Sequence, residues 1–241
     1  MQYLILLYGD PADDPTPGTP EWDADMERYM AFGELAGDAI VGGEALWPDV
    51  VRTVRHDGED VTVSDGPYAE ITEGLGGYYV LEAPNLDDAI ELARHIPVVS
   101  GPSGAAEIRP VAMLLPSAEQ AGDVPEGTAR HLATIHGKAG LDDVPGTPEW
   151  EESSAAHGRF ADDHAGVIVG GAAVHPSSAA TTIRVRDGEL LVSDGPFAEA
   201  VEVVGGYYVL RGTDAEVEAA ARAIPVPEEG AIQLGRIMEL G

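Results

Sequence analysis

The sequence predicts an α+β protein in which one unit of strands and helices is built twice. Three blocks recur in the same order: a Ser-Asp-Gly-Pro-aromatic-Ala-Glu motif, a Gly-Gly-Tyr-Tyr-Val-Leu block and a Gly-Thr-Pro-Glu-Trp block. Their first copies begin at residues 64, 76 and 18, and their second copies begin at 193, 205 and 146. Shifts of 129 and 128 residues keep the blocks co-linear, which indicates a tandem duplication.

The first third of each copy predicts a strand, a helix and a glycine-marked strand. Residues 3–8 are apolar on both alternating faces, which is typical of a buried strand. Thr19-Pro20-Glu21 predicts a helix start, and the helix should run to about Ala36 and stop at Gly37. Residues 39–46 then predict a short strand, in which Gly42-Gly43 indicates a bulge or a close backbone approach.

The remainder of the copy adds a hairpin, two strands and a second helix. Strands at 50–55 and 60–63 flank an Asp57-Gly58 turn, and further strands are expected at 78–83 and 107–115. Asn85 should cap a helix that ends before Pro97. Without the hairpin, this order is β-α-β-β-α-β, the ferredoxin-like arrangement. We therefore expect domains at 1–115 and 129–241, joined by a linker at 116–128.

The charge balance excludes some classes of partner. The chain carries 43 acidic and 13 basic side chains, a net charge of −30. This charge repels nucleic acid and anionic membranes, so neither is an expected partner. A solvated acidic shell is the favoured explanation because the acids are spread over both halves, and a surface for a basic partner stays the alternative.

The chain has no cysteine, which excludes disulfides and thiolate chemistry. Its N-terminal apolar run is too short for a signal peptide, and no run approaches the ~18 apolar residues that a membrane helix needs. We expect a soluble cytoplasmic protein.

Each half resembles a YCII-related domain of the DGPF type. The motif that carries the resemblance is Asp65-Gly66-Pro67-Tyr68 in the first copy and Asp194-Gly195-Pro196-Phe197 in the second, supported by the Pro-Glu-Trp and Gly-Gly-Tyr-Tyr blocks. The resemblance implies a dimeric α/β barrel, in which the antiparallel sheets of the two ferredoxin-like domains would face each other as an intrachain pseudo-dimer. Further homodimerisation is an open alternative.

The resemblance also bears on chemistry, because a His in the first helix and an Asp after the second are a proposed catalytic dyad in relatives near the founding type. This chain departs from that pattern. The His positions fall near Asp25 or Met26 and near Ser153 or Ser154, and the Asp positions fall near Ile96 and Ile224. The dyad is not carried over to either copy.

The repeated motif supplies the remaining catalytic candidates, the carboxylates of Asp65, Glu70, Asp194 and Glu199. Paired carboxylates beside a cleft can act as general acid and base if burial raises one pKa. The favoured alternative is structural: Asp caps the turn, Gly supplies a positive φ and Pro fixes the exit.

The function expected from the resemblance and from facing sheets is binding of a small molecule between the two sheets, with an enzyme-like role left open. Tyr8, its counterpart His136, Tyr68 and Phe197 are the candidates to line that pocket. The alternative is an acidic interaction protein linked to an extracytoplasmic-function sigma factor, because genes for DGPF proteins often lie beside genes for such factors. No cofactor is expected, since Gly76-Gly77 precedes a strand rather than a helix, and no metal, since the histidines lack a ligand spacing.

Overall fold

The fold is described from a computed structural model. It describes residues 1–57, 60–66, 74–115, 124–138, 143–197, 202–227 and 230–239, with the backbone alone at 49, 57 and 202. The elements are β1 (Gln2–Gly9), α1 (Pro20–Ala36), β2 (Ile40–Asp57), β3 (Asp60–Asp65), β4 (Gly74–Glu82), α2 (Leu86–Ala93), β5 (Ala105–Leu115), β6 (Ala129–Lys138), α3 (Pro148–Asp163), β7 (Ile168–Val174), β8 (Thr181–Arg186), β9 (Glu189–Asp194), β10 (Glu202–Gly212), α4 (Asp214–Ala223) and β11 (Ala231–Ile237).

The helices begin where their capping residues predict. The Thr19 hydroxyl accepts a hydrogen bond from the Trp22 amide, Pro20 is the first helical residue, and α1 ends at Gly37 with φ 50°. Thr147 caps α3 in the same way. The Asn85 side chain accepts from the Asp88 amide at the start of α2. These predictions are confirmed. They could be made from the sequence because each cap depends on neighbours within one helical turn.

The predicted short strands at 39–46 and 50–55 are wrong as separate elements, since both belong to the 18-residue strand β2. Its first part pairs with β4 up to Ala45, and its second part pairs with β11 at Leu46 and from Val51. Pro48 lies where the pairing changes partner. Proline lacks an amide donor, so it fits a position that needs no ladder hydrogen bond, and the strand continues through it.

The double glycine produces both effects that glycine pairs indicate. The register of β2 against β4 shifts between Ile40 and Gly42, which is a bulge. A Cβ built on Gly43 would lie 2.9 Å from the Tyr78 carbonyl oxygen, closer than side chains tolerate. The prediction is confirmed.

The chain forms two compact units that differ from the two sequence copies. Unit 1 comprises residues 1–45, 71–110 and 178–199, and unit 2 comprises 46–70, 111–177 and 200–241. Each copy therefore contributes its β-hairpin to the unit that holds the other copy's helices. Strands β2 and β5 pass through both units.

Unit 1 is an antiparallel sheet in the order β9-β8-β5-β1-β4-β2. Its core packs α1 and α2 against one face of the sheet, through Tyr3, Ile5 and Leu7 of β1. Ile183, from the hairpin of the second copy, is fully buried in this core. The exchanged hairpin is thus part of the packing of unit 1.

Unit 2 repeats this plan in the order β3-β2-β11-β6-β10-β7-β5. Helices α3 and α4 cover one face, where Phe160, Val217 and Leu210 are buried together. Val54, from the hairpin of the first copy, is fully buried there.

The predicted fold class is confirmed as α+β. The antiparallel ladders run β1-β4-β2-β11-β6-β10-β7-β5 and return to β1, which is the strand topology of a closed eight-stranded barrel. Within the described residues, no helix combines the length and the apolarity that crossing a membrane requires.

Candidate ligand-binding site

The site is built on the face of the unit 1 sheet opposite to α1 and α2, which carries no helix among the described residues and is here called the helix-free face. Side chains alternate along a strand, so Leu4, Leu6 and Tyr8 point away from the core that Tyr3, Ile5 and Leu7 form. In the register of β1 with β5, Glu107 lies opposite Leu6 and Arg109 lies opposite Leu4. Directly opposed residues share a face, which places both charged side chains on the helix-free face.

Glu107 and Arg109 form a buried ion pair. The Arg109 Nη1 donates to Glu107 Oε1 over 3.0 Å, and the two side chains are 0% and 3% exposed. Glu107 Oε2 accepts a second hydrogen bond, of 2.8 Å, from the backbone N–H of Phe197. One buried carboxylate therefore holds both a cation and Phe197, the aromatic residue of the repeated motif.

Phe197 is held against two further side chains. Its ring stacks on the Tyr8 ring with centroids 4.4 Å apart and an interplanar angle of 9°. The Arg184 guanidinium carbon lies 5.0 Å from the centroid of the Phe197 ring. Two of the predicted pocket residues, Tyr8 and Phe197, are thus brought together, although they are far apart in the sequence.

Tyr8 keeps a protonated phenol. Burial, followed by the negative charge of Glu107, raises the pKa of Tyr8 well above its ordinary value, and the Arg109 cation opposes the shift. The residue nevertheless keeps intermediate exposure. Its hydroxyl is therefore a hydrogen-bond donor across the physiological pH range.

The glycine of the motif has the backbone role that the sequence predicts. Gly66 has φ 98° and Gly195 has φ 101°, values that side chains disfavour. In addition, the Thr53 hydroxyl donates to the Gly66 carbonyl and the Thr182 hydroxyl to the Gly195 carbonyl, over 2.8 and 2.9 Å. Sequence reasoning missed these buried threonines, although their 129-residue shift matches that of the motif.

The catalytic candidates are less well placed. Asp65 and Asp194 are exposed at the ends of β3 and β9. Glu70, Glu199 and Tyr68 lie outside the described residues. A role for these carboxylates in acid–base chemistry stays a prediction.

His136 occupies in unit 2 the ladder position that Tyr8 occupies in unit 1. It lies opposite Ala231 as Tyr8 lies opposite Ala105, and its Nε2 is 2.9 Å from the Thr134 hydroxyl. Burial lowers the pKa of His136 to about 4, so the imidazole is neutral at pH 7.

The same register identifies the counterparts of the ion pair. Gln233 is the counterpart of Glu107. Glu107 lies opposite Leu6 and Thr182, and Gln233 lies opposite the residues at the same ladder positions, Thr134 and Thr53. Gly235 lies opposite Leu132, as Arg109 lies opposite Leu4. Unit 2 therefore builds the same ladder with an amide and a glycine at these two positions.

Two further histidines, His157 and His164, have partners elsewhere in unit 2. His157 Nδ1 is 3.0 Å from the Tyr208 hydroxyl, and His164 Nδ1 is 3.1 Å from the Phe160 carbonyl oxygen. Among the described residues, no three His, Asp or Glu side chains are grouped closely enough to hold a metal ion.

Comparisons with known proteins agree with the duplication. The family model of the YCII-related domain matches residues 1–114 and again residues 135–240. A protein of Rhizobium meliloti (strain 1021), "Uncharacterized protein R00369", is 38% identical over 123 residues, which are 48% of this chain and 96% of that protein. The relative thus has the length of one copy.

Among solved structures, the chain is similar to "Crystal structure of Putative Chlorite dismutase TA0507", with 11% identity and a TM-score of 0.41. The match covers 99% of this chain and 94% of the other. A likeness this distant carries no argument about activity. The two matches of the family model, by contrast, cover most of the sequence. The chain belongs to the YCII-related family and carries two copies of its domain in tandem.

Proposed function

We propose that the protein binds a small molecule at the helix-free face of unit 1, beside Tyr8, Phe197 and Arg184. The observation that carries this proposal is the contrast between the two copies. The ladder that holds Glu107 and Arg109 in unit 1 forms in unit 2 with Gln233 and Gly235. The duplicated fold therefore does not depend on a buried ion pair at this place.

The energetics of buried charges support a role other than stability. Removing a carboxylate and a guanidinium from water costs several kcal/mol per ion, and mutual attraction often only balances that cost. A neutral pair such as the one in unit 2 avoids the cost altogether. The ion pair in unit 1 is therefore more simply explained by a role in ligand binding than by a contribution to the stability of the fold.

The pair also organises the aromatic side chains. Through its second oxygen, Glu107 anchors the Phe197 backbone, and the Phe197 ring in turn lies flat on Tyr8. A stacked aromatic pair with a half-buried phenol offers an apolar surface and one hydrogen-bond donor to a flat ligand. Because these groups are already held in place, binding would need little reordering.

The alternatives have less support. General acid–base chemistry through Asp65 or Asp194 would use carboxylates that are exposed at the ends of β3 and β9. A sigma-factor-linked interaction protein is supported only by the acidic composition and by the gene neighbourhood that the family resemblance implies. The charges of that composition are spread over both halves of the chain.

A thermal-shift screen tests the proposal. A library of planar aromatic fragments, neutral and charged, is screened against the wild-type chain, and the hits are titrated by calorimetry. Phe197→Leu removes the stacked ring but keeps an apolar side chain. Phe160→Leu is the matched control, because Phe160 is similarly buried, at 4% against 6% exposure, but belongs to α3 and packs in the core of unit 2.

We expect fragments that stabilise the wild type and Phe160→Leu but bind Phe197→Leu at least about fivefold more weakly, as loss of an aromatic contact predicts. Hits that bind Phe197→Leu unchanged would place the site elsewhere. A library without hits at millimolar concentration would overturn the proposal.

A further inference from the structure

Arg184 differs in its electrostatic surroundings from the arginines of this protein that pair with carboxylates. Acidic side chains outnumber basic ones by 43 to 13. Arginines that form ion pairs with carboxylates are Arg28, Arg52, Arg94, Arg109, Arg130 and Arg222. Within the described part of the chain, Arg184 forms no such pair and instead lies over the Phe197 ring.

Its position favours contact with a ligand. Arg184 is half-buried, so part of its hydration is already lost and its charge is less screened than on an open surface. Packing of a guanidinium over an aromatic ring restrains its plane and leaves N–H groups at its edge available. That edge is a rigid fork that matches the two oxygens of a carboxylate.

The neighbouring groups agree with a planar anion. Phe197 is covered by Arg184 and stacked on Tyr8, so the partly exposed Tyr8 ring is the aromatic surface against which a flat ring can lie. The Tyr8 phenol stays protonated and can donate a second hydrogen bond to an anionic oxygen. The Glu107 carboxylate is already engaged by Arg109 and by the Phe197 amide, which leaves Arg184 to an incoming anion.

We propose that the site takes small planar acids, with the carboxylate anchored by Arg184 and the ring packed against the Tyr8–Phe197 pair. This inference rests on the proposed function and specifies its ligand class.

Binding of benzoate and benzamide tests it, because the two differ chiefly in the charge of one planar group. Calorimetric titrations are made near 0.15 M salt. At this concentration the charges of acidic side chains more than about 8 Å from the ligand are largely screened. The test variant is Arg184→Gln. The control is Arg55→Gln, because Arg55 precedes the first copy's motif at the same spacing and its loss changes the net charge equally.

We expect the wild type to bind benzoate about tenfold more tightly than benzamide, the ratio typical of one charge-assisted hydrogen-bonded pair. Arg184→Gln should lower that ratio to about one or two and leave the benzamide affinity within about twofold, whereas Arg55→Gln should keep the ratio.

Three results would contradict this expectation, and they separate the two proposals. Equal binding of benzoate and benzamide by the wild type overturns the acid class and leaves ligand binding at the site standing. An equal fall of the ratio in both variants shows that net charge, not Arg184, sets the preference. Binding of neither compound at millimolar concentration counts against the acid class, and the fragment screen then decides the proposed function by itself.

Discussion

At the scale of single residues, the notable group is a carboxylate with two tasks. Glu107 holds the Arg109 cation through one oxygen and the Phe197 amide through the other, and all of this lies out of contact with bulk water. The copy in unit 2 shows that the position accepts a neutral amide when the neighbouring arginine is replaced too. The charge of Glu107 is therefore coupled to that of Arg109.

The coupling predicts a non-additive pair of substitutions. Glu107→Gln removes the anion that lies 3.0 Å from a fully buried guanidinium and should lower the free energy of unfolding by about 3 kcal/mol. Glu107→Gln combined with Arg109→Met should recover at least about half of that loss. Urea denaturation at pH 7 measures both, and a double variant less stable than the single one would contradict the coupling.

A second residue-scale prediction concerns His131, which is 2% exposed and whose Nδ1 has no hydrogen-bond partner in the described structure. Burial and the Arg52 cation lower the pKa of His131 to about 4, and Asp214 opposes the shift. The unfolded chain should protonate His131 near pH 6.5. Between pH 6.5 and 4 the unfolded state therefore binds more protons, and stability falls as the pH falls.

His131→Gln removes this proton uptake. The free energy of unfolding of the variant should fall less between pH 6.5 and 5 than that of the wild type, by at most about 1.4 kcal/mol per pH unit. Urea titrations at several pH values measure the two slopes. His136, whose pKa is also about 4, adds a slope of the same sign that both proteins share. Parallel pH profiles would contradict the prediction.

At the scale of elements, the helices and the motif turn use glycine in opposite ways. Gly158 lies inside α3, and a Cβ built on it would meet no atom within 4 Å. Gly195 ends the β8–β9 hairpin with φ 101°. Glycine thus weakens the helix but is needed by the turn.

Alanine substitution should separate the two roles. Gly158→Ala should stabilise the protein by about 0.5–1 kcal/mol through helix propensity. Gly195→Ala should destabilise it by about 1–3 kcal/mol, because alanine is strained at that φ. Thermal unfolding of both variants gives the two signs. A neutral Gly195→Ala would show that the turn readily adopts another backbone conformation.

At the scale of the whole molecule, each sequence copy contributes its β-hairpin to the compact unit that holds the helices of the other copy. Residues 46–65 belong to the unit that holds the second copy's helices, and residues 178–199 belong to the unit that holds the first copy's helices. In unit 1 the exchanged strand β8 pairs with β5 at Ala106, Glu107 and Ile108. The candidate site therefore combines Tyr8 and Glu107 of one copy with Arg184 and Phe197 of the other.

This exchange predicts how the chain responds to being divided. A fragment of residues 1–115 lacks β8, and a fragment of residues 129–241 lacks β2, one of the two strands that pair with β11. Neither should unfold cooperatively as a monomer, and the two should co-purify when expressed together. Analytical ultracentrifugation with urea unfolding measures both properties. Self-association of one fragment is consistent, since a second copy would supply a hairpin, whereas a stable monomeric fragment would contradict the exchange.

Local features were predictable because their causes are local. The Thr19 cap, the end of α1 at Gly37 and the positive φ of Gly66 each depend on a few adjacent residues. The separation of the strands at 39–46 and 50–55 was predicted wrongly for the complementary reason: whether a strand continues through Pro48 depends on which partner strands lie beside it. Two of the predicted pocket residues, Tyr8 and Phe197, are in contact. The sequence places Tyr8 at the end of a strand and Phe197 in the motif, but neither position by itself predicts that contact.

The sequence by itself determined the duplication, the α+β class and the family, because repeated motifs and short-range periodicity carry that information. Only the tertiary structure decided where the hairpins pair and that Glu107 reaches the amide of Phe197, 90 residues away. Such contacts depend on which strands lie side by side, and strand pairing is selected by packing over the whole sheet. The buried ion pair, with the stacked rings beside it, is therefore a product of the fold.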